Sequence, residues 1–503
     1  MQPLLEQAIA LYRRGELGAA ARRLERILRR QPRHGDALHL LGCIRLERGQ
    51  ADEAVRLIKE AVAAAPGVAV FHEDLAQAHL RRGELAPAET ECVLANRCDA
   101  SRAQPHNLLG LVALERCEYP AAIDHFTTAL GVEKLHPDAI LNLAVAMIRT
   151  GEFAMAEKYC ELALHLSPEN PLALTNLGLA CRGQGKIEEA KDALARAGGF
   201  PRARFNLGTL HLLEGDLVRG LPLYETRKQL LRVGEGLGRP EWDGRTRPGK
   251  SLLVVHEQGL GDTIMMSRFY PRLLDHFAHV VVLVQPPLAR LIATVDPRVQ
   301  VVTELSGVRY DAWCATMSLP FKLGVRSLDE VPRDPWLHVP GPETRPGRMR
   351  IGINWAGNPR FAYDYVRSTH LENLALLLRV GDVDWCSLHR GHLEHEAEAF
   401  GLPQPLRDAA DFYDTASVLS GLDLVISTET AVPNLSAALG VRTCVLASPD
   451  ADWRWRSWYG NVTLCRQHEP GDWASAVVKA LEVVRDELVR VEQEAESRSR
   501  AAA

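Results

Sequence analysis

The sequence predicts an α-solenoid of stacked helix pairs in the first half of the chain and two parallel α/β domains in the second half. Glycine recurs every 34 residues through most of the first 230 residues, and small residues stand at fixed distances from it. After residue 230 the pattern changes to short apolar runs separated by helical segments, and two turn-rich segments divide the blocks. A chain of 503 residues has room for about three domains.

Composition and charge exclude several classes of function. The net charge of −5 is too small to indicate a nucleic-acid partner. Apolar strings are far shorter than the ~18 residues of a membrane helix, and the N-terminus lacks the pattern of a secretory signal. We therefore expect a cytoplasmic protein without membrane insertion. The ten cysteines form no C-x-x-C pair and show no zinc-type spacing with histidine, so no metal is expected.

The 34-residue period organises the first half of the chain. Each period is expected to hold two amphipathic helices with a glycine turn between them, and small residues let the two helices approach closely. One unit cannot bury its apolar stripe alone, so neighbouring units stack. The pattern resembles the tetratricopeptide repeat, with about seven repeats over residues 4–230. The turn positions are Gly15, Gly49, Gly83, Cys117, Gly151, Gly185 and Gly215. The small residues seven positions earlier are Ala8, Gly42, Ala76, Gly110, Ala144, Gly178 and Gly208.

Asparagine recurs once per unit in the later repeats. Asn142, Asn176 and Asn206 each stand two residues before the small residue of the first helix. An asparagine side chain both donates and accepts hydrogen bonds, so such a row could hold an extended polypeptide backbone. The alternative is that these side chains cap or bridge neighbouring helices. The repeat array of the O-linked N-acetylglucosamine transferase carries a similar row that holds protein substrates.

The second half is predicted to contain two Rossmann-like domains. A turn-rich linker at 231–250 precedes a first domain at 251–340, and a second linker at 340–347 precedes a domain at 348–490 with a polar tail at 491–503. Strands that are apolar on both faces indicate parallel sheets, in which ligands bind beyond the carboxyl ends of the strands. The predicted strands are 251–256, 280–285, 299–303, 313–318, 350–355, 383–388, 422–427 and 443–447.

The first candidate motif follows the first of these strands. Gly259 and Gly261 let the backbone approach a ligand, and the helix that follows them favours negative charge at its start. Asp262 either caps this helix or removes a proton from an acceptor hydroxyl.

Two further motifs follow strands of the second predicted domain. Asn354 ends one strand and is followed by Arg360 and Arg367, which are either phosphate-binding or ordinary surface residues. A cluster of hydroxyl and carboxyl groups begins a later helix, where free backbone N–H groups suit a phosphate. This cluster is Ser427, Thr428, Glu429 and Thr430. A last motif at 452–459 is rich in aromatic residues and arginine, which either stack on a base or sugar or pack in the protein interior.

Taken together, the motifs GLGDTI, NWAGNPR, LDLVISTET and DWRW followed by SWY resemble the bacterial heptosyltransferase family of glycosyltransferases. The resemblance is closest to a branch in which tetratricopeptide repeats precede the transferase. It implies a GT-B-like pair of Rossmann-like domains, with Asp262 as the catalytic base and 428–430 in the nucleotide-phosphate loop. It also implies a cytoplasmic enzyme that modifies flagellin with a nonulosonic (pseudaminic-type) acid from a CMP-linked donor, without another cofactor.

This chain departs from the family at two positions. The family has Asp-Thr-x-x-x-His in the phosphate loop, whereas this chain has Glu429, Thr430 and then Asn434. Either the donor site is adapted to another nucleotide sugar or transfer is impaired. The leading hypothesis is an inverting, metal-independent protein O-glycosyltransferase, because no Asp-x-Asp pair follows a strand. The rival hypothesis is a non-catalytic adaptor built from repeats and a degenerate transferase-like module.

Overall fold

The computed structural model describes residues 2–342, 348–361, 364–449, 452–456 and 458–502, without the side chains of 365, 456, 492 and 494–502. Most of the predicted linker at 340–347 and Ser457 of the aromatic motif lie outside the described residues. The chain divides into two compact units, Met1–Asn206 and Leu207–Ala503.

The first unit consists of antiparallel helix pairs. Successive helices are joined by short turns, and each contacts its neighbours in the chain. The helices are α1 (Gln2–Arg13), α2 (Leu17–Arg30), α3 (Gly35–Glu47), α4 (Ala51–Ala64), α5 (Ala69–Arg81), α6 (Leu85–Cys98), α7 (Gln104–Glu115), α8 (Tyr119–Val132), α9 (Pro137–Thr150), α10 (Phe153–Leu166), α11 (Pro171–Gly183) and α12 (Ile187–Arg196), followed by α13 (Pro201–Leu213), which continues into the second unit.

The turn positions of the 34-residue period have the backbone conformation that the sequence predicts. All seven have positive φ, and Cys117, the one position without glycine, adopts a φ of 60°. The small residues allow close helix contacts as expected. A Cβ atom on Gly110 would lie 2.4 Å from the Phe126 ring, and one on Gly42 would lie 2.4 Å from Ile58. The period therefore reflects both the turn and the helix packing.

The second unit contains two sheets in which every strand pair is parallel. The first sheet has the order β3-β2-β1-β4 and the second has the order β6-β5-β7-β8-β9. In each sheet the strand order reverses once, between β1 and β4 and between β5 and β7. Such reversals open a crevice at the carboxyl ends of the strands. The strands are β1 (Arg247–Val255), β2 (Phe277–Leu283), β3 (Val299–Val302), β4 (Ala312–Ala315), β5 (Met349–Asn354), β6 (Val383–Ser387), β7 (Leu424–Thr428), β8 (Arg442–Ala447) and β9 (Val462–Arg466).

The helices of the second unit are mostly short. Those of the first sheet are α14 (Leu217–Tyr224), α15 (Arg227–Leu231), α16 (Leu260–Met266), α17 (Tyr270–Leu273), α18 (Ala289–Ile292) and α19 (Leu319–Lys322). Those of the second sheet are α20 (Asp364–Arg367), α21 (Glu394–Ala399), α22 (Phe412–Leu419), α23 (Ala431–Ala438) and α24 (Trp473–Ala502).

Several predicted elements differ from the observed ones. The helix predicted after Gly261 is broken into α16, a 3₁₀ turn and α17. Strand β9 was not predicted. The last helix continues to Ala502 through the predicted polar tail. Within the described part of the chain, no helix is both long and apolar enough to cross a membrane.

Candidate functional site

The reversal point of the second sheet holds one of the predicted motifs. Asn354, at the end of β5, donates from Nδ2 to Ser427 Oγ at 3.1 Å and to Thr430 Oγ1 at 3.2 Å. Thr430 also caps α23 by accepting from the Val432 N–H. Asn354 is buried, so these bonds fix the carboxyl ends of β5 and β7 to each other.

Among the described residues, the buried polar atoms without a hydrogen-bond partner at this reversal point include Thr428 Oγ1 and His389 Nε2. His389 Nδ1 lies 3.3 Å from Asn354 Oδ1, and burial lowers the pKa of His389, so the ring is neutral near pH 7. His389 lies two residues after the end of β6 and is not among the residues that the sequence motifs identify. Its position after a strand was the available signal.

Glu429 stands where the heptosyltransferase motif has aspartate. Its carboxylate accepts hydrogen bonds from neighbouring groups of this chain. One carboxylate oxygen accepts from the Ser448 N–H and Oγ at 3.1 Å, and the other accepts from the Asp452 N–H at 3.3 Å. Burial raises the pKa of the Glu429 carboxyl. The longer side chain therefore reaches the segment that follows β8 and anchors it.

The two predicted arginines differ in their surroundings. Arg367 is partly buried, donates to the Glu429 carbonyl oxygen at 3.1 Å and forms an ion pair with Asp364 at 3.1 Å. Gly357 leaves room for it, because a Cβ atom there would lie 2.9 Å from the guanidinium. Arg360 has an exposed side chain. The structure brings Arg367, but not Arg360, into the network around α23.

Asp262, the predicted base, has both carboxylate oxygens engaged. Oδ2 accepts from the Gly259 N–H at 2.8 Å in a capping interaction at the start of α16, and Oδ1 forms an ion pair with Arg454. Arg454 also pairs with Asp452. Burial by itself lowers the pKa of Arg454, but Asp452 and Asp262 outweigh this effect and raise it. The capping role that sequence analysis left open is present.

Asn434 connects the two predicted loops. Its Nδ2 donates to the Thr430 carbonyl oxygen at 3.0 Å, and its Oδ1 accepts from Tyr459 Oη at 2.6 Å. A Cβ atom on Gly261 would lie 2.7 Å from Asn434 Nδ2, so only glycine lets α16 approach α23 this closely. The asparagine that replaces the family's histidine therefore contacts the loop of the first sheet.

The reversal point of the first sheet is filled by an ion pair that the motif search missed. Glu257 accepts from Arg227 Nη2 at 2.7 Å and Nε at 3.0 Å, and from the Met317 N–H at 2.8 Å. Arg227 Nη2 also donates to Ser318 Oγ at 2.8 Å. Both charged residues are buried. Glu257 lies two residues after the end of β1, and its place after a strand was the signal in the sequence.

The aromatic motif at 452–459 is packed inside the second unit. Its aromatic side chains are buried: Trp453, Trp455, Trp458 and Tyr459. The guanidinium of Arg268 lies 4.5 Å above the Tyr459 ring and 4.0 Å above the Trp336 ring, and burial lowers the pKa of Arg268 to about 10. In the structure these side chains pack in the protein interior, which is one of the two interpretations that the sequence allowed.

The asparagine row of the first unit lines a cavity of about 240 Å³. Asn142 Nδ2 donates to Asn107 Oδ1 at 2.9 Å, so the row begins one repeat earlier than predicted. Asn107 escaped notice because it stands 35 rather than 34 residues before Asn142. The polar lining includes Gln104, Asn107, Asp138, Asn142, Asn176 and Arg202. Asn206 does not belong to this lining among the described residues.

A larger cavity, of about 580 Å³, lies in the second unit away from these motifs. It is bordered by 337–340, Ser420, Leu422, Asp423, 439–442 and Arg490. Among the described residues, neither cavity is lined by Asp262 or by 427–434. In this structure the motif residues are linked to one another by hydrogen bonds and ion pairs.

Comparisons with known proteins agree with the repeat array. Tetratricopeptide-repeat models match residues 5–69 and 107–171, 45–112, and 171–196. Protein FlbA of Caulobacter vibrioides is 24% identical over 96% of this chain and 89% of its own length. Human protein O-mannosyl-transferase TMTC3 is 28% identical over 39% of this chain, which spans only 22% of that relative.

Among solved structures, a tetratricopeptide repeat protein from Parabacteroides merdae aligns with 47% of this chain and 94% of its own. Its identity is 16% and its TM-score is 0.39, which is too low to establish a common overall fold. Residues 5–196 of this chain are tetratricopeptide repeats.

Proposed function

We propose that the protein is a glycosyltransferase that moves a sugar from a nucleotide sugar to a serine or threonine hydroxyl of a polypeptide held by the repeats. One observation carries this proposal: the polar residues after β1, β7 and β8 form a single network. Asp262 pairs with Arg454, Arg454 with Asp452, and the Asp452 N–H binds Glu429. A carboxylate, a guanidinium and the start of α23 thus lie together where two parallel sheets present their carboxyl ends.

Each group has a role in an inverting transfer. The acceptor oxygen attacks the anomeric carbon while Asp262 takes the hydroxyl proton, and the bond to the nucleotide phosphate breaks. Arg454, Arg367 and the N–H groups at the start of α23 stabilise the departing phosphate. A donor phosphate that binds Arg454 competes with Asp262 for the guanidinium, so donor binding would free the carboxylate to act as the base.

Several finer features rest on the resemblance to the heptosyltransferase family. They are a GT-B type of domain pairing, independence of metal, a CMP-linked nonulosonic acid as donor, flagellin as acceptor and a cytoplasmic location. The match to a relative named protein O-mannosyl-transferase supports transfer to a protein hydroxyl. The cavity lined by Asn142 and Asn176 supports a polypeptide partner, since their amide groups can both donate to and accept from an extended backbone.

Intact-mass measurement tests the proposal. Purified full-length protein is incubated with flagellin and with CMP-linked nonulosonic acids or UDP-hexoses in turn, and a mass increase of one sugar residue is expected with one donor class. The Asp262→Asn variant should lose transfer by about 100-fold or more, because a general base contributes roughly 10²–10⁴ in rate.

A matched variant separates catalysis from structure. Asp452→Asn removes a carboxylate from the same Arg454 but leaves Asp262 in place. We expect this variant to keep most of the transfer rate. Equal losses in the two variants would show that Asp262 acts only through Arg454, and wild-type transfer by Asp262→Asn would rule it out as the base.

A second candidate function is a non-catalytic adaptor, and one observation favours it. Asp262 already has partners for both oxygens, and Asn434 has partners for both its amide nitrogen and its amide oxygen. An adaptor would form a stable complex with flagellin and give no adduct with any donor. The same mass experiment, combined with a binding measurement, therefore decides between the two functions.

A further inference from the structure

Three side chains of the first unit place a nitrogen, a sulfur and an oxygen ligand atom within 4.8 Å of one another. They are His39 and Cys43 on α3 and Asp74 on α5. His39 and Cys43 are four residues apart, so they lie on the same face of α3, one turn from each other. Asp74 comes from the next repeat. The cluster belongs to the part of the chain that the repeats form and is independent of the proposed transferase chemistry.

Two of the three distances between the ligand atoms match a tetrahedral metal site. Bonds of about 2.0–2.1 Å to nitrogen or oxygen and about 2.3 Å to sulfur place the ligand atoms of tetrahedral zinc roughly 3.3–3.6 Å apart. Cys43 Sγ lies 3.5 Å from His39 Nε2 and 3.5 Å from Asp74 Oδ2. His39 Nε2 and Asp74 Oδ2 are 2.5 Å apart and would separate by roughly 1 Å on binding.

The surroundings orient the three ligand atoms. The His39 ring packs against the buried Phe71 ring at 4.6 Å between centroids, which directs Nε2 toward Cys43 and Asp74. The His39 side chain is 16% exposed and that of Asp74 is 28% exposed, so an ion can reach the cluster from solvent. Glu47, one turn beyond Cys43, is already bonded to Tyr12. The fourth coordination position is thus left to water.

We propose that His39, Cys43 and Asp74 form a zinc-binding site with one open coordination position. Imidazole, thiolate and carboxylate together suit Zn²⁺, whereas Mg²⁺ and Ca²⁺ prefer oxygen ligands alone. Coordination forms Zn–N, Zn–S and Zn–O bonds; the thiol proton passes to the buffer, and His39 binds through Nε2 as the neutral imidazole with its proton on Nδ1. Bound zinc links α3 to α5 and so joins the second predicted repeat to the third.

Zinc content measures the site directly. Full-length protein is stripped with EDTA, equilibrated with ZnCl₂, gel-filtered and analysed by plasma mass spectrometry. We expect about one zinc ion per chain, and an affinity lower by more than about tenfold in Cys43→Ser and in Asp74→Asn. Cys98→Ser is the matched control, because Cys98 is an exposed cysteine on α6 and should leave zinc binding unchanged.

Cobalt tests whether Cys43 binds the metal directly. A residue that only supports the fold gives no thiolate-to-cobalt absorption band, so its replacement would not remove one. Co²⁺ in the wild-type and Cys98→Ser proteins should give a thiolate-to-cobalt charge-transfer band, and Cys43→Ser should lack it. Circular dichroism checks that each variant is folded, and Asp74→Asn serves if Cys43→Ser does not fold. Wild-type protein that retains no zinc after gel filtration, or variants that bind it as tightly as wild type, would overturn the proposal.

Discussion

The two units use their polar residues in different ways. In the repeat unit, Asn142 and Asn176 line an open cavity of about 240 Å³. In the α/β unit, Asp262, Glu429 and Asn434 are bonded to neighbouring groups, and the reversal point of the first sheet is filled by Arg227 and Glu257. The asparagines of the repeat unit thus border a cavity, whereas a ligand that binds these motif residues of the α/β unit has to displace contacts among them.

The largest expected effect tests whether the α/β unit depends on its internal ion pair. Glu257→Ala leaves Arg227 buried without its bidentate partner, so the free energy of unfolding should fall by about 3–5 kcal/mol. Urea denaturation measures the change. Glu372→Ala, at an exposed glutamate, is the control and should change stability by less than about 0.5 kcal/mol. A similarly small change in Glu257→Ala would contradict the importance of the pair.

The next largest expected effect is a loss of binding affinity at the cavity of the repeat unit. Replacing Asn142 and Asn176 together with alanine removes amide groups that could bind a polypeptide backbone, so the affinity for flagellin should fall by about 10–100-fold. Titration calorimetry measures the dissociation constant. Asn206→Ala should have a smaller effect, because Asn206 does not line the cavity among the described residues. An equal loss in Asn206→Ala would place the partner elsewhere on the repeats.

A pair of glycine variants tests the packing inside the repeats. A Cβ atom on Gly110 would lie 2.4 Å from the Phe126 ring, so Gly110→Ala should lower the unfolding free energy by about 1–3 kcal/mol. Gly131 near the end of α8 has open space around it, and Gly131→Ala should be neutral or stabilise by up to about 0.5 kcal/mol. Thermal unfolding of both variants checks the contrast. If both substitutions changed the unfolding free energy in the same direction, helix propensity rather than close packing would determine the effect of Gly110→Ala.

The smallest effect concerns the pH dependence of the α/β unit. The pKa of Glu429 is raised by burial, so the folded state favours the neutral carboxyl. The stability that this contributes is present below the ordinary pKa of glutamate and is lost as the pH rises through the raised value. Relative to Glu429→Gln, wild type should lose stability as the pH rises above the ordinary pKa of glutamate, about 4.3. Denaturant midpoints measured as the pH is raised give the difference. The control Glu372→Gln should show the same pH dependence of the midpoint as wild type.

The regular parts of the fold were predictable because their signals are local. A 34-residue period reflects contacts between adjacent helices, and apolar runs such as β7 reflect strands buried on both faces. The broken helix after Asp262 was predicted as continuous, because apolar periodicity alone does not distinguish an α-helix from consecutive short turns. Strand β9 is only partly buried, and its weak apolar pattern hid it.

The candidate site was predictable only as a set of positions. Asp262, Asn354 and Thr430 were identified because they follow predicted strands; the structure places Asn354 at the end of β5, Thr430 two residues after β7 and Asp262 in α16, the helix that follows β1. Their partners were hidden because they come from distant segments: Arg454 lies 192 residues after Asp262 in the chain. The same is true of Asp74, which joins His39 and Cys43 from 35 and 31 residues away.

The sequence alone determined the helix pairs, their turn positions and the parallel strands, because these depend on residue size, backbone conformation and burial within a few tens of residues. Tertiary structure decided which polar groups have partners and which are open to a ligand. Hydrogen bonds and ion pairs form between side chains brought together from distant parts of the chain, and no local pattern records such partners. Asn434 illustrates the difference, since the sequence marks it as a departure from a motif and the structure shows the contact it makes instead.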